Sequence, residues 1–134
     1  SYSEQIGTLA GEQHNITILG AAGKREDHTI ANISLLTDFA LVHPEIRICT
    51  DTGVFFPVLE SGTFSSFPGQ AISLFNPGSG KIFLDSWNLE YPLDHLELSK
   101  WTASLNRASG ESFSLTLEGE GGIVVFAVYP AENS

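Results

Sequence analysis

Apolar and polar residues alternate along most of the chain, as they do in β-strands that bury one face. The clearest run is Ser112–Glu118, in which three apolar side chains share one face and the polar ones lie on the other. A glycine-rich turn at 119–122 leads into Ile123–Tyr129, which is apolar enough for a strand buried on both faces. The two runs together predict a hairpin.

A second hairpin is predicted around the turn Pro77-Gly78-Ser79-Gly80, between strands at 72–76 and 81–85. Pro57 has no N–H for a ladder, so its strand is expected to be an edge strand or to carry a bulge. The remaining predicted strands are His14–Leu19, Ile46–Thr50, Val54–Leu59, Leu93–Leu98 and a continuation in which Trp101, Ala103 and Leu105 form the apolar face.

The segment His28–His43 fits two interpretations. It is either two strands broken near Thr37, or an amphipathic helix that starts after Asp27 and stops at Pro44. Its several β-branched residues favour the strands.

Eight to ten short strands, joined by Gly, Pro and Asn turns at spacings of roughly 8–12 residues, are typical of a β-sandwich or barrel. The predicted fold is therefore all-β: an antiparallel β-sandwich of jelly-roll or Greek-key type, or a barrel, with at most one short helix. The length of 134 residues predicts a single β domain over 1–134.

Charge narrows the function classes, because 16 acidic side chains against 6 basic ones give a formal net charge of −10. Such a charge disfavours binding to nucleic acid, and no apolar run is long enough to span a membrane. The single cysteine, Cys49, has no disulfide partner within the chain. The sequence leaves the compartment open, cytoplasmic or secreted with no leader in the given chain, and leaves glycosylation of Asn15 and Asn32 open as well.

The segment 85–95 carries the densest group of site-type side chains. Trp87 and Tyr91 offer aromatic faces that stack on a sugar ring. Carboxylates and an amide nearby would take hydrogen bonds from a polar ligand, and these are Asp85, Asn88, Glu90 and Asp94. We therefore expect a ligand site for a glycan or a similar neutral polar molecule.

Metal and cofactor chemistry finds little support in the pattern. Asp51, Asp85, Glu118 and Glu120 leave a calcium site open, but they do not form a calcium-loop motif. The four histidines are scattered, without the ligand spacing of a zinc site. We therefore predict no metal, no cofactor and no catalytic residue.

These observations favour a non-catalytic, lectin-like glycan-binding module. One alternative is an oligomerising structural or assembly β-sandwich, in which Ile123–Val128 or Val54–Phe56 covers a subunit interface and the chain forms a homo-oligomer. The second is a small barrel enzyme, a cyclase or isomerase, that uses a His/Asp pair such as His95 with Asp94.

Overall fold

The computed structural model describes the backbone of residues 17–19 and 26–130, and the side chains of residues 33–130. Ten strands and one helix lie in these ranges. The strands are β1 (Thr17–Leu19), β2 (Arg47–Cys49), β3 (Gly53–Val58), β4 (Gly62–Ser65), β5 (Ala71–Phe75), β6 (Ile82–Trp87), β7 (Leu96–Leu98), β8 (Ala103–Arg107), β9 (Ser112–Gly119) and β10 (Ile123–Val128), and the helix α1 is Glu26–Phe39.

The strands form two sheets. The six-stranded sheet has the order β1-β2-β3-β10-β5-β8, and the four-stranded sheet has the order β4-β9-β6-β7. Every pairing is antiparallel except that of β1 with β2, which are parallel neighbours joined through α1. The prediction of an all-β antiparallel sandwich with one short helix is confirmed.

The main core lies between the two sheets, where alternate residues of facing strands meet. Phe113 and Leu115 of β9 are each 1% exposed and pack against residues from both sheets. Strand β10 is buried on both faces as predicted, because Ile123 and Val125 point into this core while Val124 packs under α1. Its central place in the larger sheet explains why it carries no polar residue.

The segment 28–43 is helical over most of its length, so the preference for two strands is wrong. Ile33, Leu36 and Ala40 recur at helical spacing and are all buried against the outer face of the six-stranded sheet. The helix propensity lost at β-branched residues is below about 0.7 kcal/mol each, whereas full burial of one large aliphatic side chain contributes roughly 1.5–3 kcal/mol. Tertiary packing therefore overrides local propensity here.

Both predicted hairpins are wrong, although both turns exist. The turn at 77–80 joins β5 to β6, and the turn at 119–122 joins β9 to β10. In each case the two strands belong to different sheets. Glycine and proline fix where a chain reverses, but they do not determine whether the returning strand pairs edge to edge or packs face to face. Here the apolar faces of the two strands turn toward each other across the core.

Pro57 does not lie in an edge strand, because β3 is flanked by β2 and β10. Pro57 pairs with Val124 of β10, and the pairing of β2 reaches only as far as Phe55. The proline therefore lies beyond the end of the β2 ladder, where a missing N–H costs little. Of the predicted strand His14–Leu19, Thr17–Leu19 is observed and 14–16 fall outside the described residues. No helix in the described part of the chain is long and apolar enough to cross a membrane.

Candidate functional site

The end of β6 and the loop that follows it carry the two aromatic side chains of the predicted site, Trp87 and Tyr91. Ser86 and Leu93 close the base of this loop, since Ser86 N donates to Leu93 O at 3.1 Å and Leu93 N donates to Ser86 Oγ at 2.7 Å. Between them, Leu89 is inserted into the core with 5% exposure. Trp87 and Tyr91 remain 60% and 59% exposed. We call residues 87–92 the aromatic loop.

The aromatic loop is also fastened to the connection between β8 and β9. Glu90 N donates to Arg107 O at 2.8 Å, and Ser109 N donates to Asn88 O at 2.9 Å. Asn88 has a φ of 69°, and its Nδ2 donates to Ser112 O at 2.8 Å. Asparagine tolerates this left-handed backbone better than most residues do. The Nδ2 group of Asn88 therefore ties the loop to β9.

Asn106 of β8 holds the other end of the aromatic loop. Its Oδ1 accepts hydrogen bonds from Tyr91 N at 3.0 Å and from Arg107 N at 2.9 Å. Its Nδ2 donates to Tyr91 O at 2.7 Å. Asn106 is only 5% exposed, and these three hydrogen bonds satisfy its amide. A short exposed loop is thus fixed from beneath by a buried polar side chain.

The sequence interpretation missed Asn106 because it assigned the apolar face of β8 to Trp101, Ala103 and Leu105. Leu105 is instead 74% exposed, and Asn106 takes the inward position. A strand whose leucine is outside and whose asparagine is inside breaks the usual pattern. The one signal in the sequence is a polar residue out of phase with the apolar alternation of the strand.

The three carboxylates of the predicted site lie in or next to the aromatic loop. Asp85 shares the outer face of β6 with Trp87, and its Oδ1 accepts a hydrogen bond from His95 N at 2.9 Å. Glu90 Oε2 lies 3.9 Å from Arg107 Nε, with both side chains half exposed. Asp94 is exposed beyond the base of the loop. The loop and its base therefore carry three carboxylates against one guanidinium, an excess of negative charge.

Beside Trp87, the outer face of the four-stranded sheet carries hydroxyl side chains. Trp87 pairs with Ser114 of β9, and Ser114 Oγ lies 2.8 Å from Thr63 Oγ1 of β4. The exposed indole therefore lies on the same face of the four-stranded sheet as these two hydroxyl groups. An exposed indole with carboxylates nearby suits a planar ligand, and a positively charged one best of all, because the ring face is the negative side of the aromatic quadrupole.

His95 does not form the catalytic pair with Asp94 that one alternative required. Its ring stacks on Phe83, and its Nδ1 lies 3.8 Å from Glu118 Oε2. Among the described residues, no group of three or more His, Cys, Asp or Glu side chains is arranged to hold a metal ion. Burial raises the pKa of Tyr129, and its neighbour Cys49 raises it further.

Solved structures similar to this chain include several thiamin pyrophosphokinases. The enzyme from Geobacillus thermodenitrificans has a TM-score of 0.78 at 19% identity, with 94% of this chain and 59% of that one covered. The Bacillus subtilis enzyme has a TM-score of 0.80 at 16% identity, with 97% and 62% covered. For Candida albicans the values are 0.69, 16%, 96% and 51%. The chain thus spans roughly half to three fifths of these proteins, and at such identities the likeness shows the fold.

A family model described as "Thiamin pyrophosphokinase, substrate-binding domain" matches residues 53–126. No curated protein matches the chain significantly. The prediction of a lectin-like, glycan-binding module is therefore wrong, as is the glycan partner, and neither the assembly protein nor the cyclase or isomerase describes this family. The aromatic and acidic residues predicted a neutral sugar as the ligand, although the same residue types bind an aromatic cation equally well. Since the match covers more than half of its 134 residues, the chain belongs to the family of thiamin pyrophosphokinase substrate-binding domains.

Proposed function

We propose that this chain supplies the thiamin-binding surface of a thiamin pyrophosphokinase, with Trp87 and Tyr91 as the aromatic contacts. The observation that carries the proposal is the pair of exposed rings on a loop that is fixed to the core at its base, its middle and its far end. Exposed aromatic side chains held in place cost little further ordering when a ligand arrives.

The chemistry of thiamin fits the charges around this loop. Thiamin joins an aminopyrimidine to a thiazolium ring that carries a permanent positive charge. A tryptophan face attracts such a ring by stacking and by a cation–π interaction, which contributes roughly 0.5–2 kcal/mol. Glu90, Asp85 and Asp94 add negative potential around the site, and the net charge of −10 favours the approach of a cation. Asp85, Glu90 and Asp94 thus remain proposed binding residues, whereas Asn88 supports the loop.

The whole enzyme would transfer a pyrophosphoryl group to the hydroxyl of thiamin. We assign to the described residues only the part of this reaction that their geometry supports, which is to bind thiamin and orient it. A rigid aromatic platform would hold the heterocycle and leave its hydroxyethyl arm available to a pyrophosphate donor.

Tryptophan fluorescence tests this proposal directly, because the chain has only two tryptophans. In a Trp101→Phe background, Trp87 is the sole indole, and we expect thiamin to quench its emission saturably. Calorimetry on the same protein gives the dissociation constant independently of the fluorophore. We expect Trp87→Ala to weaken thiamin binding by about tenfold or more, the loss of roughly 1.4 kcal/mol.

The matched control is Trp101→Phe in the otherwise unchanged chain. Trp101 is also exposed, at 42%, but it lines an apolar hollow with Ile33, Phe55 and Phe75 on the other sheet. Its replacement should leave the affinity for thiamin at the wild-type value. The proposed function is overturned if thiamin gives neither quenching nor heat, or if Trp87→Ala binds thiamin as tightly as the wild-type chain does.

A further inference from the structure

We propose that Asn106 is a positioning residue that sets the affinity for thiamin by holding Tyr91 in its binding conformation. The inference rests on the proposed function, and it concerns a side chain that does not itself reach the surface. Asn106 touches both polar groups of the Tyr91 backbone, accepting from its N–H at 3.0 Å and donating to its C=O at 2.7 Å.

This two-way contact replaces the strand partner that Tyr91 lacks. Tyr91 lies outside the named strands, so no sheet ladder fixes its backbone. A primary amide presents a donor and an acceptor side by side, as the backbone of a neighbouring strand does. Asn106 Oδ1 accepts from Arg107 N as well, which ties the clamp to the end of β8. The clamp therefore fixes the height and direction of Tyr91 relative to β8.

The burial of Asn106 indicates that it serves the loop and not the core. A polar amide inside a sandwich is unfavourable unless every hydrogen bond is made, and an aliphatic residue would pack there at lower cost. Its inward position on β8 forces the alternation out of phase, leaving Leu105 exposed. A hydrophobic contact is therefore missing at this position, and Asn106 fixes the backbone of Tyr91 in its place.

The chain uses the same device once more, in the turn between β5 and β6. Asn76 is 1% exposed, and its Nδ2 donates to Gly80 O at 2.6 Å and to Leu98 O at 2.8 Å. Its Oδ1 accepts from Gly78 N at 3.0 Å, so Asn76 clamps the 77–80 turn. Asn76 and Asn106 are the two buried polar residues among the described side chains. They form a matched pair in which only Asn106 supports a proposed ligand contact.

Without the clamp, Tyr91 would have to be ordered at the moment of binding. The entropic cost of fixing the backbone of one residue would then weaken binding, whereas in the wild-type protein this cost has already been met during folding. For one residue, this transfer corresponds to about a tenfold weaker affinity.

The test compares Asn106→Asp with Asn76→Asp by calorimetry with thiamin and by urea unfolding. Each substitution keeps an acceptor oxygen and replaces the amide donor by a second oxygen facing a carbonyl. Both variants should lose stability, since each buries a charge. Only Asn106→Asp should raise the thiamin dissociation constant, by about tenfold, and lowering the pH until the introduced carboxyl is protonated should restore binding, because the neutral acid can donate to Tyr91 O.

A double-mutant cycle shows whether Asn106 acts through Tyr91. In a Tyr91→Ala background, Asn106→Asp should cause little further loss of affinity. Should Asn106→Asp not fold, Asn106→Ser removes the clamp without burying a charge, and the same comparison applies.

The failures of the two proposals are distinguishable. A wild-type chain that does not bind thiamin overturns the proposed function, and this inference with it. A wild-type chain that binds thiamin, combined with unchanged affinity in Asn106→Asp and Asn106→Ser, overturns the inference alone. Equal loss of affinity in Asn76→Asp, or an undiminished loss in the Tyr91→Ala background, also overturns it, because the effect would then be one of general stability.

Discussion

The rings of Phe83 and His95 lie face to face on the outer side of the four-stranded sheet, with centroids 4.5 Å apart and planes 9° from parallel. His95 adopts a φ of 51° to reach this position, a left-handed conformation that a histidine seldom takes. Glu118 lies 3.8 Å from His95 Nδ1 on the neighbouring strand β9. A strained backbone is thus held by a ring contact and an exposed contact with a carboxylate.

We expect the stacked rings of Phe83 and His95 to contribute more to the free energy of unfolding than the contact between His95 and Glu118 does. His95→Ala should lower the free energy of unfolding by about 1 kcal/mol, the worth of a stacked pair. Glu118→Gln should change it by less than about 0.5 kcal/mol, because the pair is exposed to solvent. His95→Gly loses the same ring but relieves the backbone, so it should be more stable than His95→Ala by about 1 kcal/mol. Urea denaturation measures all three, and equal stability of the Ala and Gly variants would contradict the strain.

Two glycines in the turn between β9 and β10 separate backbone strain from steric clash. Gly119 and Gly121 have φ values of 128° and 92°, so both disfavour any other residue. A Cβ at Gly119 would lie 2.4 Å from Lys81 O, whereas a Cβ at Gly121 would meet nothing within 4 Å. We expect Gly121→Ala to cost about 1 kcal/mol and Gly119→Ala at least about 3 kcal/mol. Thermal and urea unfolding check this ranking, which a similar loss in both variants would refute.

The ion pair of Glu90 with Arg107 predicts substitutions with opposite effects on thiamin affinity. Glu90→Gln leaves the guanidinium uncompensated beside the aromatic loop and should weaken binding of the cation by about threefold. Arg107→Gln should strengthen it by a similar factor. The backbone hydrogen bond between these residues is unaffected by either change. Calorimetry at low and high salt should show both effects shrinking as salt is added. Shifts of the same sign in the two variants would exclude this electrostatic account.

Tyr129 makes the fold sensitive to alkaline pH. Burial raises the pKa of its hydroxyl above the ordinary 10.0, the hydrogen bond and charge of Cys49 raise that pKa further, and Arg47 opposes them. A group whose pKa is raised on folding contributes stability below its unfolded pKa and loses it as the pH climbs through the folded value. Stability should therefore fall as the pH rises above about 10.

Tyr129→Phe should reduce this alkaline loss, and Cys49→Ala should reduce it in part by removing one of its causes. Urea midpoints at about pH 8 and about pH 11 for the wild type and both variants give the comparison. A wild-type slope retained in Tyr129→Phe would show that another group governs the transition.

Local pattern was sufficient to identify most strands but not their partners. In β9, the alternation that buries Phe113 and Leu115 is visible in the sequence, because period two encodes the face of a strand directly. Which sheet receives β10 depends on contacts with Val54 and Phe56 of β3, more than sixty residues earlier. The sequence of the turn between β9 and β10 does not indicate which sheet β10 joins.

The residue types in 85–95 suggest a binding surface, but they do not identify its ligand. Trp87 and Tyr91 stood out because large aromatic rings beside turns and acids are unusual, and both are exposed. The difference between a sugar and an aromatic cation lies in the potential at the ring face, which a list of residue types does not specify. Asn106 escaped notice because its function arises from where the fold places it.

The place of β10 in the larger sheet has a consequence for synthesis on the ribosome. Strands β3 and β5 are neighbours of β10 and not of each other, so they cannot complete their hydrogen bonding until residue 128 has been made. Until then β3 and β5 each have one strand edge without a hydrogen-bonding partner, and the edge of β3 includes the apolar residues Val54–Phe56. Folding should therefore follow translation of β10 rather than accompany it, and ribosome stalling before Ile123 should leave a chain that binds chaperones and is readily cleaved by proteases.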